Sequence, residues 1–375
     1  MKIVYISSSV IPSRTANSIH VMKMCQAFAK NGHEVILLAP NDRKHYEPGV
    51  NDVYAYYGVE RCFEIIKLPW LNFKGKGYFY GALAAQNARR LKPDLVFGRN
   101  TIGCAFSAFM GLPVMFESHS PRIRSWLFNR LSHHPNLKKF IVITHSLKQH
   151  YLVSYPHLAD KIDVAPDGAD PISPKVEPVA LPNAGKLLQV GYVGHLYKGR
   201  GVEMIAAMAK VCPWANFHLV GGRQTDIDYW AKQYSGYKNV VFHGFVPPAY
   251  AERLRLGFDV LLAPYQEDLA TGSGENTVSW MSPLKVFEYM AAEKPIICSD
   301  LPVLKEILED GRNALLCKPS DSSSWVGALE CLRDNPSLGR RLAEEAFRDF
   351  LCWFSWEARA KGLLPSVEDK RSAES

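Results

Sequence analysis

No apolar run in the 375-residue sequence approaches the roughly 20 residues that carry a helix across a bilayer, so no transmembrane segment is expected. Residues 1–6 run straight into a strand pattern with no small-residue cleavage site behind them, so no signal peptide is expected either. Eight cysteines are present without a CxxC pair or a metal-ligand spacing, which argues against zinc modules and dithiol redox chemistry. Cys25, Cys62, Cys104, Cys212 and Cys298 lie in apolar segments and read as buried, reduced thiols. The first strand–helix loop, residues 7–18, contains no glycine. The dinucleotide fingerprint GxGxxG is therefore missing, which argues against a dehydrogenase. No metal-binding carboxylate cluster stands out for a diphosphate, Asp226-Ile227-Asp228 being the single stretch with DxD spacing, and there is no recognition helix, zinc finger or RNP pattern to favour nucleic acid.

Acidic residues are scarce in the first half. Residues 1–172 hold 21 Lys and Arg against 12 Asp and Glu, whereas residues 173–375 hold 23 against 25. Nine of the twelve histidines are also in the first half. Such asymmetry points to an anionic partner for that half, a membrane surface or an acidic acceptor.

The chain alternates short β-rich runs with helical patterns. Strands are predicted at 2–8, 33–40, 62–68, 93–99, 113–119, 140–145 and 162–165. A helix over 18–31 carries Val21, Met24, Cys25 and Phe28 on one stripe and stops at Gly32. Residues 170–185 break the alternation with four prolines and no apolar period, a linker composition. Strands resume at 187–193, 216–220, 240–245, 259–263, 295–298 and 314–317, with a helix at 202–212 among those between them. One helix is predicted over 340–364, with Trp353 and Trp356 inside it, before a polar tail. Nearly all-apolar strands alternating with helices indicate parallel sheets covered on both faces. The expected fold class is α/β, two Rossmann-like doubly wound domains whose sheets meet at a cleft, the usual ligand position in such folds.

The segment 282–291 carries the most chemistry. It follows a Gly/Ser-rich loop at 271–276 and precedes a short apolar run. Pro283 suits the first turn of a helix, where a missing N–H costs nothing. The open amides of that turn form an anion site to which Lys285 adds a full charge. Glu288, one helical turn on, projects from nearly the same face. A cation for phosphate and a carboxylate for sugar hydroxyls together suggest a grip on a nucleotide sugar.

Five segments in order then resemble glycosyltransferase family 4, of the GT-B architecture. They are Gly32-His33-Glu34-Val35, Glu117-Ser118-His119, residues 162–170 with Asp167 where the family has Asn, Tyr192-Val193-Gly194-His195-Leu196 followed by Gly199-Arg200-Gly201, and 282–291. The resemblance implies a retaining, metal-independent transfer of sugar from a nucleotide-diphosphate donor to a glycan, glycolipid or small-molecule acceptor, in polysaccharide or glycolipid assembly. It implies an acceptor domain at 1–172, a donor domain at 186–352, a last helix at about 353–375 that packs back on the first domain, and no cofactor or metal. By resemblance His119 is the catalytic residue near the reacting carbon, and Glu288 holds the donor ribose. Lys285, Arg200, Gly194, Ser282, Leu284, Asn17 and Ser18 are the remaining donor contacts. Arg200 and Lys285 would neutralise the leaving diphosphate. Trp280 stands where the family often has a first glutamate, and Asn17-Ser18 where it has Gly-Gly.

Bland readings compete at several positions. Ser18 fits a helix cap, Asp167 and Asp170 fit turns and caps, and Arg200 fits an exposed turn. The basic, aromatic stretch 122–131 with Lys138 and Lys139 reads equally as an amphipathic helix burying Trp126, Leu127 and Leu131, or as a peripheral contact with an anionic membrane. Reduced thiols imply a cytoplasmic location, to which the second reading adds contact at the inner membrane face. A sugar-nucleotide epimerase of the same fold and a non-catalytic sugar-nucleotide-binding protein remain open alternatives.

Overall fold

The computed structural model describes residues 1–121, 125–268 and 277–364. The chain divides into two compact units, Met1–Asp167 with the segment from Trp356 onwards, and Gly168–Ser355.

The first unit is built on seven strands, β1 (Lys2–Ile6), β2 (Glu34–Asn41), β3 (Glu64–Pro69), β4 (Leu95–Gly98), β5 (Val114–Ser118), β6 (Leu137–Val142) and β7 (Ile162–Val164). Its helices are α1 (Ala16–Lys30), α2 (Val53–Tyr57), α3 (Lys76–Leu91), α4 (Thr101–Phe109), α5 (Trp126–Ser132) and α6 (His145–Ser154). All pairings are parallel, in the order β3-β2-β1-β4-β5-β6-β7. The order reverses at β1, with β2 on one side and β4 on the other, so a crevice opens at the carboxyl ends of β1 and β4. Thr15, not Ser18, caps α1: its Oγ1 accepts from the Ser18 amide at 3.2 Å. Ser18 instead turns its hydroxyl onto the carbonyls of Ser13 and Thr15, 2.8 Å each. The stripe Val21, Met24, Cys25 and Phe28 is fully buried. Gly32, at φ +83°, takes the left-handed turn that lets the chain leave α1 for β2.

The second unit holds β8 (Leu188–Val193), β9 (Ala215–Val220), β10 (Val240–Gly244), β11 (Val260–Ala263), β12 (Ile296–Ser299) and β13 (Leu315–Cys317), again all parallel, in the order β10-β9-β8-β11-β12-β13. Its helices are α7 (Val202–Val211), α8 (Gln224–Gln233), α9 (Pro248–Gly257), α10 (Leu284–Ala291), α11 (Ser322–Asp334) and α12 (Pro336–Asp349). Helix α10 begins at Leu284, which places Pro283 at the cap rather than inside the first turn.

Three expectations change. The proline-rich stretch does not hang free. Ala169 and Leu181 are buried in the second unit's core, the Val179 amide donates to the Arg253 carbonyl at 3.1 Å, and Arg253 Nε donates to the Glu177 carbonyl at 2.9 Å. Prolines suit such a docked strap because they carry no N–H that would need a partner. The final helix is not continuous. α12 gives way to a π turn over Phe350–Phe354, and Ser355 is extended before α13 (Trp356–Leu363) begins. The wider turn is closed by the Ser355 amide on the Phe350 carbonyl. It buries Phe350 and stacks Phe354 on Phe287, centroids 5.1 Å apart, a register that a straight helix would not provide. Cys62 is exposed rather than buried, whereas Cys25, Cys104, Cys212 and Cys298 are buried as free thiols. The loop 271–276, Arg122, Ile123, Arg124 and the tail beyond Leu364 lie outside the described residues.

Gly191 sits in β8, where a Cβ would stand 2.0 Å from the buried ring of Phe258. Gly191→Ala is expected to destabilise the second unit by about 1–3 kcal/mol through overpacking. Combining it with Phe258→Leu should recover part of that loss. Urea unfolding of the three proteins checks it, and an unchanged single mutant would contradict the packing described.

Candidate active site

Each unit gathers polar side chains at the carboxyl edge of its sheet. In the first, Glu117 closes β5, His119 follows it, His20 projects from the second turn of α1, Asp167 follows β7, and Arg359 comes from α13. His20 Nδ1 lies 2.8 Å from Asp167 Oδ1, and its Nε2 lies 3.0 Å from Glu117 Oε1. His119 Nε2 bonds Glu117 Oε1 and stands 3.9 Å from Asp167 Oδ1. The imidazoles of His20 and His119 meet edge to face at 4.8 Å, and His20 packs against Trp356 at 5.2 Å.

Arg359 ties this constellation together. Its Nη2 donates to Glu117 Oε1 at 3.0 Å and to the Ala165 carbonyl at 3.1 Å, and its Nε donates to the Pro166 carbonyl at 2.7 Å. Both members of the ion pair are essentially excluded from solvent. Burial pushes the Glu117 carboxyl up, but Arg359, His20 and the hydrogen bond from His119 outweigh it and hold the group well below the usual carboxylate range. Asp167 is likewise depressed: burial opposes ionisation, and the charges and hydrogen bonds of the histidines and Arg359 overcome it. For His119 burial dominates, with Arg99 adding to it, and the imidazole falls to about 4, neutral at pH 7. Asp167 is therefore a buried member of the site rather than a turn residue. The donor atoms of His20, Glu117, His119 and Asp167 lie within 4.8 Å of one another, close enough to hold a metal ion. The guanidinium of Arg359 already neutralises Glu117 Oε1, which weakens the case for a second cation there. Asn17 lies in the first turn of α1 with its Oδ1 buried and lacking a hydrogen-bond partner among the described residues.

In the second unit, Gly194, Arg200 and Lys285 come together. Lys285 Nζ stands 3.8 Å from the centroid of Tyr192 and 5.0 Å from that of Tyr265. A Cβ on Gly194, at φ +154°, would lie 2.9 Å from Lys285 Nζ, so a side chain here would displace the ammonium. Arg200 is half-buried, not an exposed turn residue. It lies over Tyr197 and Tyr265 at 4.8 and 5.6 Å and donates to the Tyr197 hydroxyl. Among the described residues neither cation makes a salt bridge. Burial, and then Arg200, hold Lys285 well below the ordinary lysine value. Two cations walled by tyrosines and lacking a carboxylate partner among the described residues leave their charge uncompensated. Glu288, one turn further along α10, is paired with Arg255 at 3.2 Å. Ser282 and Leu284 bracket the start of α10, the Leu284 amide donating to the Ser282 carbonyl at 3.1 Å.

His20, Arg359, Tyr265 and Arg255 were not singled out from sequence, and Tyr192 entered only as part of the segment 192–196. A lone charged residue in an otherwise ordinary helix, such as Arg359 in α13, gives no local sign that its partner lies 242 residues away.

Two doubly wound parallel-sheet units define the GT-B class of fold. The chain belongs to the group 1, family 4 type of GT-B glycosyltransferases. The model "Glycosyltransferase Family 4" matches residues 18–172 and "Glycosyl transferases group 1" matches 188–335. D-inositol 3-phosphate glycosyltransferase of Rhodococcus erythropolis is 32% identical over 126 residues, 32% of this chain and 25% of that protein. EpsD of Bacillus subtilis is 40% identical over 62 residues, 16% of each chain. The matches thus span a quarter or less of these curated relatives. Among solved structures, Anabaena HepE in complex with UDP superposes with a TM-score of 0.69 at 15% identity over 100% of both chains. A glycosyltransferase from Rickettsia africae gives 0.72 at 13%, over 97% of this chain and 96% of that one. Likenesses at this identity are of fold.

Removing Arg359 leaves Glu117 buried with its main countercharge gone. Arg359→Met is expected to cost about 3–5 kcal/mol, and Arg359→Met with Glu117→Gln distinctly less. Urea unfolding measures both, and a single-mutant loss below about 1 kcal/mol would refute the pairing. For Lys285, a bound anion raises the depressed ammonium value, so protons are taken up on binding at any pH between the free and bound values. Pyrophosphate affinity should therefore weaken as pH rises through that window. Calorimetry in buffers of different ionisation enthalpy should register the uptake in wild type and not in Lys285→Met.

Proposed function

We propose that the protein is a retaining, metal-independent glycosyltransferase that moves a sugar from a nucleotide-diphosphate donor to a glycan, glycolipid or small-molecule acceptor. The observation that carries this reading is the Arg200–Lys285 pair, two carboxylate-free cations beside Gly194 at the start of α10. In the reaction the bond from the anomeric carbon to the diphosphate breaks and the acceptor oxygen takes its place. The acceptor proton leaves to the diphosphate or to solvent. Negative charge then grows on the diphosphate, where Arg200, Lys285 and the amide end of α10 stabilise it. Glu288, held by Arg255, is placed to accept hydrogen bonds from the ribose hydroxyls, with Ser282 and Leu284 lining the helix start. Residues 186–352 would be the donor domain and residues 1–172 with the terminal helix the acceptor domain.

His119 is the proposed catalytic residue. Being neutral, it can hydrogen-bond a sugar hydroxyl without repelling the positive charge that develops at the anomeric carbon. The ionised Glu117 and Asp167 behind it favour that charge. Asn17 and Ser18 are proposed at the phosphate side through α1's amide end, since the Ser18 hydroxyl is already engaged. Retention follows from the family expectation. HepE is described with UDP and with UDP-glucose, which makes UDP-sugars the first donors to try. The proposed setting is polysaccharide or glycolipid assembly in the cytoplasm, with peripheral contact at the inner membrane face. Among the described residues no helix is long and apolar enough to cross a membrane.

One alternative keeps a specific observation. The Glu117–His119 hydrogen bond is an acid/base pair of the kind a sugar-nucleotide epimerase needs. Nucleotide release from UDP-, GDP-, ADP- and dTDP-sugars, with and without chelator, separates the readings. Chelator-insensitive release from one donor is expected. Glu288→Ala should weaken that donor about ten- to hundredfold by losing a charged hydrogen bond. A strict Mg²⁺ requirement would overturn the metal-free reading, an epimerised donor would indicate the epimerase, and donor binding without any turnover would indicate a non-catalytic protein.

A further inference from the structure

Residues 65–159 contain thirteen Lys and Arg but only two acidic residues, Asp94 and Glu117. One of the two, Glu117, is buried against Arg359. The outer faces of α3, α4 and α5 belong to this block. With the loop before α3 they present large apolar side chains to solvent: Leu71 and Phe73 in that loop, Tyr78 and Phe79 at the start of α3, Phe109 at the end of α4, and Trp126 at the start of α5, each 41–62% exposed. The patch is continuous. Phe73 and Phe79 meet at 5.7 Å, and Phe79, Leu83 and Met110 line one shallow depression together with Arg89 and Arg90. Phe109, Trp126 and Arg130 line the next. Among the described residues Lys74, Arg89, Arg90 and Arg130 make no salt bridge. Leu127, Phe128 and Leu131 of α5 are buried, so this short helix contributes Trp126 and Arg130 rather than an apolar face of its own.

Exposed aromatic and aliphatic groups ringed by unpaired cations match one kind of partner, the interface of a bilayer containing anionic lipid. Aromatic side chains settle at headgroup depth, and basic residues draw in the negative surface. Leu71 and the paired phenylalanines would be wasted on nucleic acid, which selects for stacking platforms and hydrogen-bond donors instead. We infer that the α3–α4–α5 face of the first unit, centred on residues 70–79, docks on the surface of an anionic phospholipid bilayer. The inference stands on this surface alone and does not require the sugar-transfer reading.

The test is vesicle cosedimentation of the full chain at low and high salt. The vesicles are pure phosphatidylcholine, or phosphatidylcholine with about a third phosphatidylglycerol. Binding to the anionic vesicles at low salt, at least tenfold tighter than to the neutral ones and weakened by salt, is the expected result. Neutralising Lys74, Arg89 and Arg90 to Gln should weaken it about fivefold for each residue. Phe73→Ser with Phe79→Ser, both exposed and tolerable to the fold, should lower it about tenfold or more and remove the salt-resistant part. Circular dichroism and urea unfolding matching wild type should report that both variants are folded, the first unit included. Equal affinity for the two vesicle types, wild-type binding by the folded variants, or tighter capture by single-stranded RNA than by anionic vesicles would each overturn the assignment.

Discussion

The buried pair between Arg359 and Glu117 is the contact on which the first unit depends. Glu117 sits at the end of a central strand with no access to water, a position that a carboxylate occupies only against a countercharge. Arg359 supplies it and spends its other donors on the carbonyls after β7. One guanidinium therefore fixes the terminal helix, the strand that carries Glu117 and the loop that carries Asp167. With those fixed, His119 is held between two ionised carboxylates yet stays neutral, because burial weighs more on it than their attraction does. The electrostatics around the proposed catalytic histidine are thus a by-product of anchoring α13.

The second unit solves the opposite problem. Its cations are kept without carboxylates, and tyrosine rings stand in for countercharge. A ring quadrupole attracts an ammonium but does not neutralise it. The pair stays electropositive, while Glu288 forms its salt bridge with Arg255.

The fold was legible because parallel sheets buried on both faces write themselves as short apolar runs: all thirteen strands lie where those runs fall. The breaks were less legible. The π turn at Phe350–Phe354 looks like helix because its aromatic residues keep helical spacing, and only their burial against Phe287 reveals the change of register. The docked strap at 170–185 looks like a linker because composition records its prolines but not the neighbour it lies on. Lys285, Glu288 and Arg200 were candidates from local pattern and resemblance, and the structure sets Lys285 and Arg200 against Tyr265 and pairs Glu288 with Arg255. Asp167 was misread and His20 and Arg359 overlooked, since their meaning comes from partners more than a hundred positions away.

The first unit is formed by residues up to Asp167 and completed by α13, with the whole second unit between them in sequence. On a ribosome, β5 and Glu117 emerge long before Arg359 exists, so the growing protein carries a half-built site whose buried carboxylate has no guanidinium to meet. The second unit can complete itself in the interval, since its strands and helices all lie between Gly168 and Ser355. The Glu117–Arg359 pair can close only once α13 has been made, so the charge environment of His119 is set only then.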